Sequence, residues 1–159
     1  MRDAALAAGL AVARVTQPYR VAGKRMPPTA PVLDAAWNAA VTHVRRTVGA
    51  RLPLVLGGRS AGARVACRTA AELNAVGVLA LAFPLHPPGR PESSRAGELD
   101  PTRPTLVING DRDSFGVPLP TGLVQVVVRP GETHALGKDP AGVAEVAVTW
   151  LRELLQLTW

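Results

Sequence analysis

Cysteine is nearly missing from this chain of 159 residues: Cys67 is the only one. A single thiol closes no intrachain disulfide and builds no multi-cysteine metal centre, and it suits a reducing, cytoplasmic setting. Lysine is almost as scarce, since 18 basic residues include only Lys24 and Lys138. The arginines behind the formal charge of +6 are scattered, the longest run being Arg45-Arg46. Nucleic-acid binders concentrate cations on one element and interleave aromatics. Aromatics are only 4 % here, so nucleic acid is not an expected partner, and the core must come from Val, Leu and Ala. No stretch approaches the roughly 18 apolar residues of a membrane span. The first residues, MRDAALAAGLAVARV, lack the basic n-region and long apolar run of a secretory signal. The pattern G-x-G-x-x-G does not occur, and no His, Asp and Glu cluster has metal-ligand spacing. Neither a metal nor another cofactor is expected.

What is present reads as an alternation. Hydrophobic residues make up 47 % of the chain and charged residues 19 %, a globular composition of one domain's length, expected to span 1–159. The spacing predicts a short helix over 2–11, a short strand over 12–16, and a loop over 17–31 with four prolines. A helix is predicted over 31–48, with Pro31 in its first turn and Gly49 past its end. Leu33, Trp37, Ala40, Val41, Val44 and Val48 share one of its faces. Residues 53–57, 76–83, 105–109 and 123–128 are apolar runs that read as strands buried on both faces. A helix is expected over 63–74. A proline-rich loop covers 84–104. Asp139-Pro140 opens a last amphipathic helix running to 156. Strands apolar throughout and alternating with helices predict an α/β fold, a mostly parallel sheet in a three-layer α/β/α sandwich. Chemistry in such sheets sits at the carboxyl ends of the strands.

Three short segments fall at those ends. Gly58-Arg59-Ser60-Ala61-Gly62 is G-x-S-x-G, placed between the strand at 53–57 and the helix at 63–74. A sharp strand-to-helix turn there exposes the serine hydroxyl and aims the Ala61 N–H where an oxyanion develops. Gly110-Asp111-Arg112-Asp113 follows the strand at 105–109, and one of its carboxylates is placed to orient a histidine: Asp113 is preferred and Asp111 competes. Gly131-Glu132-Thr133-His134 follows the last strand, a suitable position for a general base. The chain order Ser60, Asp113, His134 is that of one hydrolase class and not of chymotrypsin or subtilisin. His86, in PLHPPG, either lines an acyl or leaving-group pocket or is an ordinary histidine held by its prolines. Arg59, beside the serine, would favour an anionic substrate if it faces the site. His43 is expected on a helix surface, Trp37 and Trp150 in the core, and Cys67 buried and inert.

These segments resemble the α/β-hydrolase superfamily. GGRSAG, NGDRD and GETH match its nucleophile, acid and histidine motifs, and LPLVLGGRSAGARVA, FPLHPPGRPE and PTLVINGDRDSFG are similar to the small dienelactone-hydrolase-related branch. The resemblance implies Ser60 as nucleophile, His134 as base, Asp113 as acid and the Ala61 N–H as an oxyanion donor. Dienelactone hydrolases proper use cysteine where this chain has Ser60, so their substrate is not implied. In the family a strand and a His-Gly-type loop precede the first helix, and that loop supplies a second oxyanion donor. This chain opens inside what resembles that helix, so an N-terminally truncated form of the fold is expected. The strand not represented would lie between 12–16 and 53–57. Two functions follow: a serine hydrolase of small carboxylic esters or related acyl compounds, or a non-catalytic domain of this fold that binds a protein partner.

Overall fold

The computed structural model describes residues 1–49 and 51–156. Its elements in chain order are α1 (Arg2–Ala7), α2 (Pro18–Val21), α3 (Ala30–Val48), β1 (Val55–Arg59), α4 (Ala61–Thr69), β2 (Gly77–Leu81), a 3₁₀ turn (Ala96–Glu98), β3 (Thr105–Gly110), β4 (Val124–Arg129) and α5 (Pro140–Leu155). The four strands form one sheet in the order β1-β2-β3-β4. Every pair is parallel, with Val55 opposite Gly77, Val78 opposite Thr105 and Thr105 opposite Val124. All four carboxyl ends therefore share one edge, as the pattern of apolar runs predicts.

Side-chain alternation sorts the strands onto two cores. Leu56, Val78, Ala80 and Val107 face α3 and α4, where they meet Val41, Ala63, Ala66, Cys67 and Ala70. Leu79, Leu106 and Ile108 face α5, where they meet Val143, Ala147, Trp150 and Leu151. The three layers are thus as expected, and the small side chains of α4 let it lie close on the sheet. Arg68 fastens α4 to α3 through a two-pronged ion pair with Asp34, at 2.9 and 2.6 Å. That pairing, foremost among its surroundings, holds the Arg68 guanidinium above its usual pKa. Arg64 and Arg68 also reach Glu98 in the 3₁₀ turn. At α5, the Asp139 side chain accepts a hydrogen bond from the Gly142 N–H, the expected cap, and this bond holds its carboxyl below the usual range.

Some expectations fail at the edges. Residues 12–16 are not a strand; they run as mostly exposed coil. A strand needs a hydrogen-bonding neighbour, and among the described residues none stands beyond β1. Val15 and Thr16 instead line a cavity of about 320 Å³ whose other wall includes Gly57 and Gly58. The strand expected at 53–57 lies two residues later, because pairing continues through Arg59 opposite Leu81. The following helix starts at Ala61 and not at 63, so the turn between them shrinks to Ser60 alone. Val48, placed on the apolar face of its helix by spacing, is exposed at the helix end. His43 is exposed, and Trp150 is core, as expected.

One buried polar side chain joins β2 to β3. Asn109 is fully buried. Its Oδ1 accepts from the Phe83 N–H at 2.9 Å and its Nδ2 donates to the Phe83 carbonyl at 2.9 Å. Buried backbone groups without partners cost about 1–3 kcal/mol each. Asn109→Leu, which strands both, is expected to lower stability by about 2–4 kcal/mol in urea denaturation; an unchanged midpoint would show that the pair is dispensable. Burial pushes the Cys67 thiol up to about 12. Its thiolate is then on the order of one part in ten thousand at pH 8. Ellman's reagent is expected to modify Cys67 only after denaturant is added, and fast reaction with the native protein would contradict that burial.

Candidate functional site

The turn at Ser60 follows from what its neighbours are. Ser60 has φ 55° and ψ −117°, a left-handed conformation that costs a non-glycine residue of order 1–3 kcal/mol and persists only where the surroundings impose it. Three features impose it here. The Ser60 N–H donates to the Leu81 carbonyl at 2.9 Å, which fastens the turn to β2. The Ser60 carbonyl accepts from the Arg64 N–H at 3.2 Å, which starts α4. Gly58 lies under the turn so closely that a Cβ there would overlap the Gly62 backbone and sit 2.7 Å from the Ala63 nitrogen. A Cβ on Gly62 would meet nothing, so of the two glycines only Gly58 is required by contact. Ala61, as the first residue of α4, has an N–H that no helix carbonyl takes, at the positive end of the helix.

The other two expected residues arrive from β3 and β4. Asp113 lies three residues past β3 with its carboxylate fully buried, and His134 lies five residues past β4 with its side chain 22 % exposed. His134 Nε2 is 2.8 Å from Ser60 Oγ, and His134 Nδ1 is 2.9 Å from Asp113 Oδ2. With Nδ1–H donating to Asp113, Nε2 is left to accept from the serine hydroxyl. The second Asp113 oxygen accepts from the Phe115 N–H at 2.9 Å, and Asn109 Nδ2 approaches Oδ2 at 3.4 Å. The Phe115 ring stands edge-on to the imidazole with centroids 4.5 Å apart. The imidazole is thus held by a carboxylate, a hydroxyl and a ring.

The remaining candidates separate. Asp111 does not touch His134; its exposed carboxylate accepts from the Gly131 N–H at 2.7 Å, which ties the loop after β3 to the loop after β4. Arg59 donates to the His134 carbonyl at 3.0 Å, so it bridges the nucleophile strand and the histidine loop. His86 stands one loop away. Its N–H donates to the Phe115 carbonyl at 2.9 Å and its ring lies against Gly116, and it makes no hydrogen bond to Ser60, Asp113 or His134. A cavity of about 430 Å³ lies between residues 17–28 and α3, away from these three side chains. Among the described residues no three His, Cys, Asp or Glu gather into a metal-holding group, and no helix is long and apolar enough to cross a membrane.

Sequence patterns did not single out Asn109, Phe115 or the side chain of Glu132. Asn109 looks like the last letter of an apolar strand, and Phe115 like a loop aromatic. Only the position of Glu132 inside G-E-T-H marked it, and that marks nothing about burial.

Comparison with known proteins agrees with this architecture. The chain overlays a serine hydrolase homologue from Coxiella burnetii with a TM-score of 0.64 at 19 % identity, over 79 % of this chain and 62 % of the other. A lidless α/β serine hydrolase from Xanthomonas campestris gives 0.68 at 23 % identity, over 86 % and 63 %. A thermophilic esterase from Thermogutta terrifontis gives 0.59 at 18 % identity, over 81 % and 74 %. The chain therefore spans less than two thirds of the first two structures. No curated protein sequence matches it. A profile described as the alpha/beta hydrolase domain matches residues 1–125. With that match over most of its length, on a parallel sheet whose strand ends carry Ser60, Asp113 and His134, the chain belongs to the alpha/beta hydrolase domain family.

Proposed function

We propose that this chain is a serine hydrolase acting on small carboxylic esters or related acyl compounds. The observation that carries the reading is the continuous hydrogen-bonded line Ser60 Oγ, His134 Nε2, His134 Nδ1, Asp113 Oδ2, with steps of 2.8 and 2.9 Å. Ser60 Oγ attacks the ester carbonyl as His134 takes its proton. The carbonyl oxygen becomes an oxyanion facing the Ala61 N–H. His134 then gives the proton to the leaving alcohol, and the acyl group stays on Ser60. Water, deprotonated by the same imidazole, attacks the acyl-enzyme and releases the carboxylic acid and free Ser60. Asp113 keeps the imidazole in the required tautomer and stabilises its charged form.

The motif segments ally the chain with the small dienelactone-hydrolase-related branch of the family. The N–H groups of Arg59 not given to the His134 carbonyl are available to an anionic acyl group, and His86 is assigned to a wall further out. The lone buried Cys67 fits a cytoplasmic site of action. A second reading, a non-catalytic domain that binds a protein partner, is favoured by the outer edge of β1, which has no neighbour among the described residues, since an edge strand is a template for pairing.

Labelling with a fluorophosphonate separates the two. The wild-type chain is expected to be labelled and Ser60→Ala not; a folded wild-type chain that takes no label removes the hydrolase reading and leaves the binding domain. The choice of acid has its own test. Asp113→Asn is expected to lower kcat by on the order of 10⁴ through the wrong tautomer, and Asp111→Asn by less than about tenfold. Equal losses would mean that the acid is misassigned.

A further inference from the structure

The loop that carries His134 has little in its composition to hold an imidazole still. It runs from the end of β4 at Arg129 to the start of α5 at Pro140 and contains Gly131 and Gly137. Thr133, Ala135 and Gly137 are exposed. One side chain closes it. Glu132 is only 2 % exposed, and its two carboxylate oxygens are both taken: Oε2 by the Lys138 N–H at 3.1 Å and Oε1 by the Asp139 N–H at 2.6 Å. These amides lie six and seven residues further on, directly ahead of α5. The segment 132–139 is thereby closed into a ring by its own first side chain, and His134 lies within it.

Glu132 is itself anchored to the sheet. Its N–H donates to the Arg129 carbonyl at 3.3 Å and its carbonyl accepts from the Arg112 N–H at 3.0 Å. Gly110, at the end of β3, passes so close that a Cβ there would stand 2.9 Å from Glu132 Cβ. On the far side of His134, Leu136 holds φ 47° and is buried, and its N–H donates to the Thr133 carbonyl at 3.0 Å. A non-glycine residue keeps that conformation only when its surroundings enforce it. A buried carboxylate is likewise costly unless donors satisfy it. Here no cation pairs with it among the described residues; its donors are two backbone amides. Both carboxylate oxygens are thus spent on this stretch of backbone.

We infer that Glu132 is a positioning residue for His134, an inference that rests on the reading of Ser60, His134 and Asp113 as a catalytic line. By holding the amides of Lys138 and Asp139, its carboxylate fixes the loop so that Nε2 stays against Ser60 while Nδ1 stays against Asp113. Misplacement by about 1 Å is worth on the order of 10² in rate, so a loosened ring lowers kcat before it alters substrate affinity.

The test uses the full chain and its three histidines. In wild-type protein the amides of Lys138 and Asp139 are expected to exchange slowly with solvent, and the ¹⁵N spectrum of the His134 ring to show the Nδ1–H tautomer. Glu132→Gln keeps the volume and one acceptor oxygen but sets an NH₂ against the other amide. It is expected to melt cooperatively, to show a mixture of His134 tautomers, and to lose about 10- to 100-fold in kcat on 4-nitrophenyl acetate with KM within about twofold. Amides at 138 and 139 that exchange as fast as exposed loop amides would overturn the inference without any variant. So would a folded Glu132→Gln protein with an unchanged His134 tautomer. The ring spectrum needs no turnover. Wild-type protein that shows the Nδ1–H tautomer but takes no fluorophosphonate label therefore sinks the hydrolase reading and not the role of Glu132. Labelled wild type beside an unaltered Glu132→Gln sinks the role of Glu132 alone.

Discussion

Four parallel strands in unbroken register are the constraint on which the rest of this molecule depends. Ser60 and His134 are 74 residues apart in the chain, and His134 and Asp113 are 21 apart. Nothing local brings them together. They meet because each follows the carboxyl end of a strand, and parallel pairing puts those ends on one edge. A slip of one residue in β3 against β4 would turn every side chain of that strand to the opposite face and move Asp113 away from the imidazole.

Parallel pairing delivers the loops to one edge but does not stiffen them. That task falls to polar side chains engaged with backbone, of which Asn109 and Glu132 are buried. Asn109 ties the segment after β2 to β3, and Glu132 ties the two ends of the histidine loop. Asp111 joins the loops after β3 and β4, and Arg59 reaches the His134 carbonyl. All four sit within five residues of a proposed triad member in sequence. A buried polar side chain with every bond made specifies one arrangement of the backbone around it, which is what a line of short hydrogen bonds at the surface of a protein requires.

Arginine composition has a similar explanation at the structural level. The sequence shows a scattered positive excess, without a stripe. In the fold Arg64 and Arg68 join α4 to Glu98 and Asp34, and Arg129 meets Asp139 at the start of α5. The guanidinium's planar fork suits the two-pronged contacts of Arg64 with Glu98 and of Arg68 with Asp34.

The layered α/β class, the four strands and the order of Ser60, Asp113 and His134 were legible in the sequence, because hydrophobic period and turn chemistry are local properties written residue by residue; that only β2 and β3 are buried while the outer strands β1 and β4 are partly exposed was not. So was the elbow at Ser60, whose glycines lie in a strand-to-helix context. Other features required the tertiary structure. Residues 12–16 read as a short strand, yet a strand exists only beside a partner, and the described chain places none there. Asp113, preferred in the sequence, does meet the imidazole, but that its competitor Asp111 turns to the Gly131 N–H instead is decided by the directions in which the tight turn points the two side chains. The bond from Arg59 to the His134 carbonyl, across the site, has no counterpart in the sequence pattern. Glu132 and Asn109 look like ordinary polar letters until folding buries them, and burial is set by what the rest of the chain lays over a position, not by the residue that occupies it.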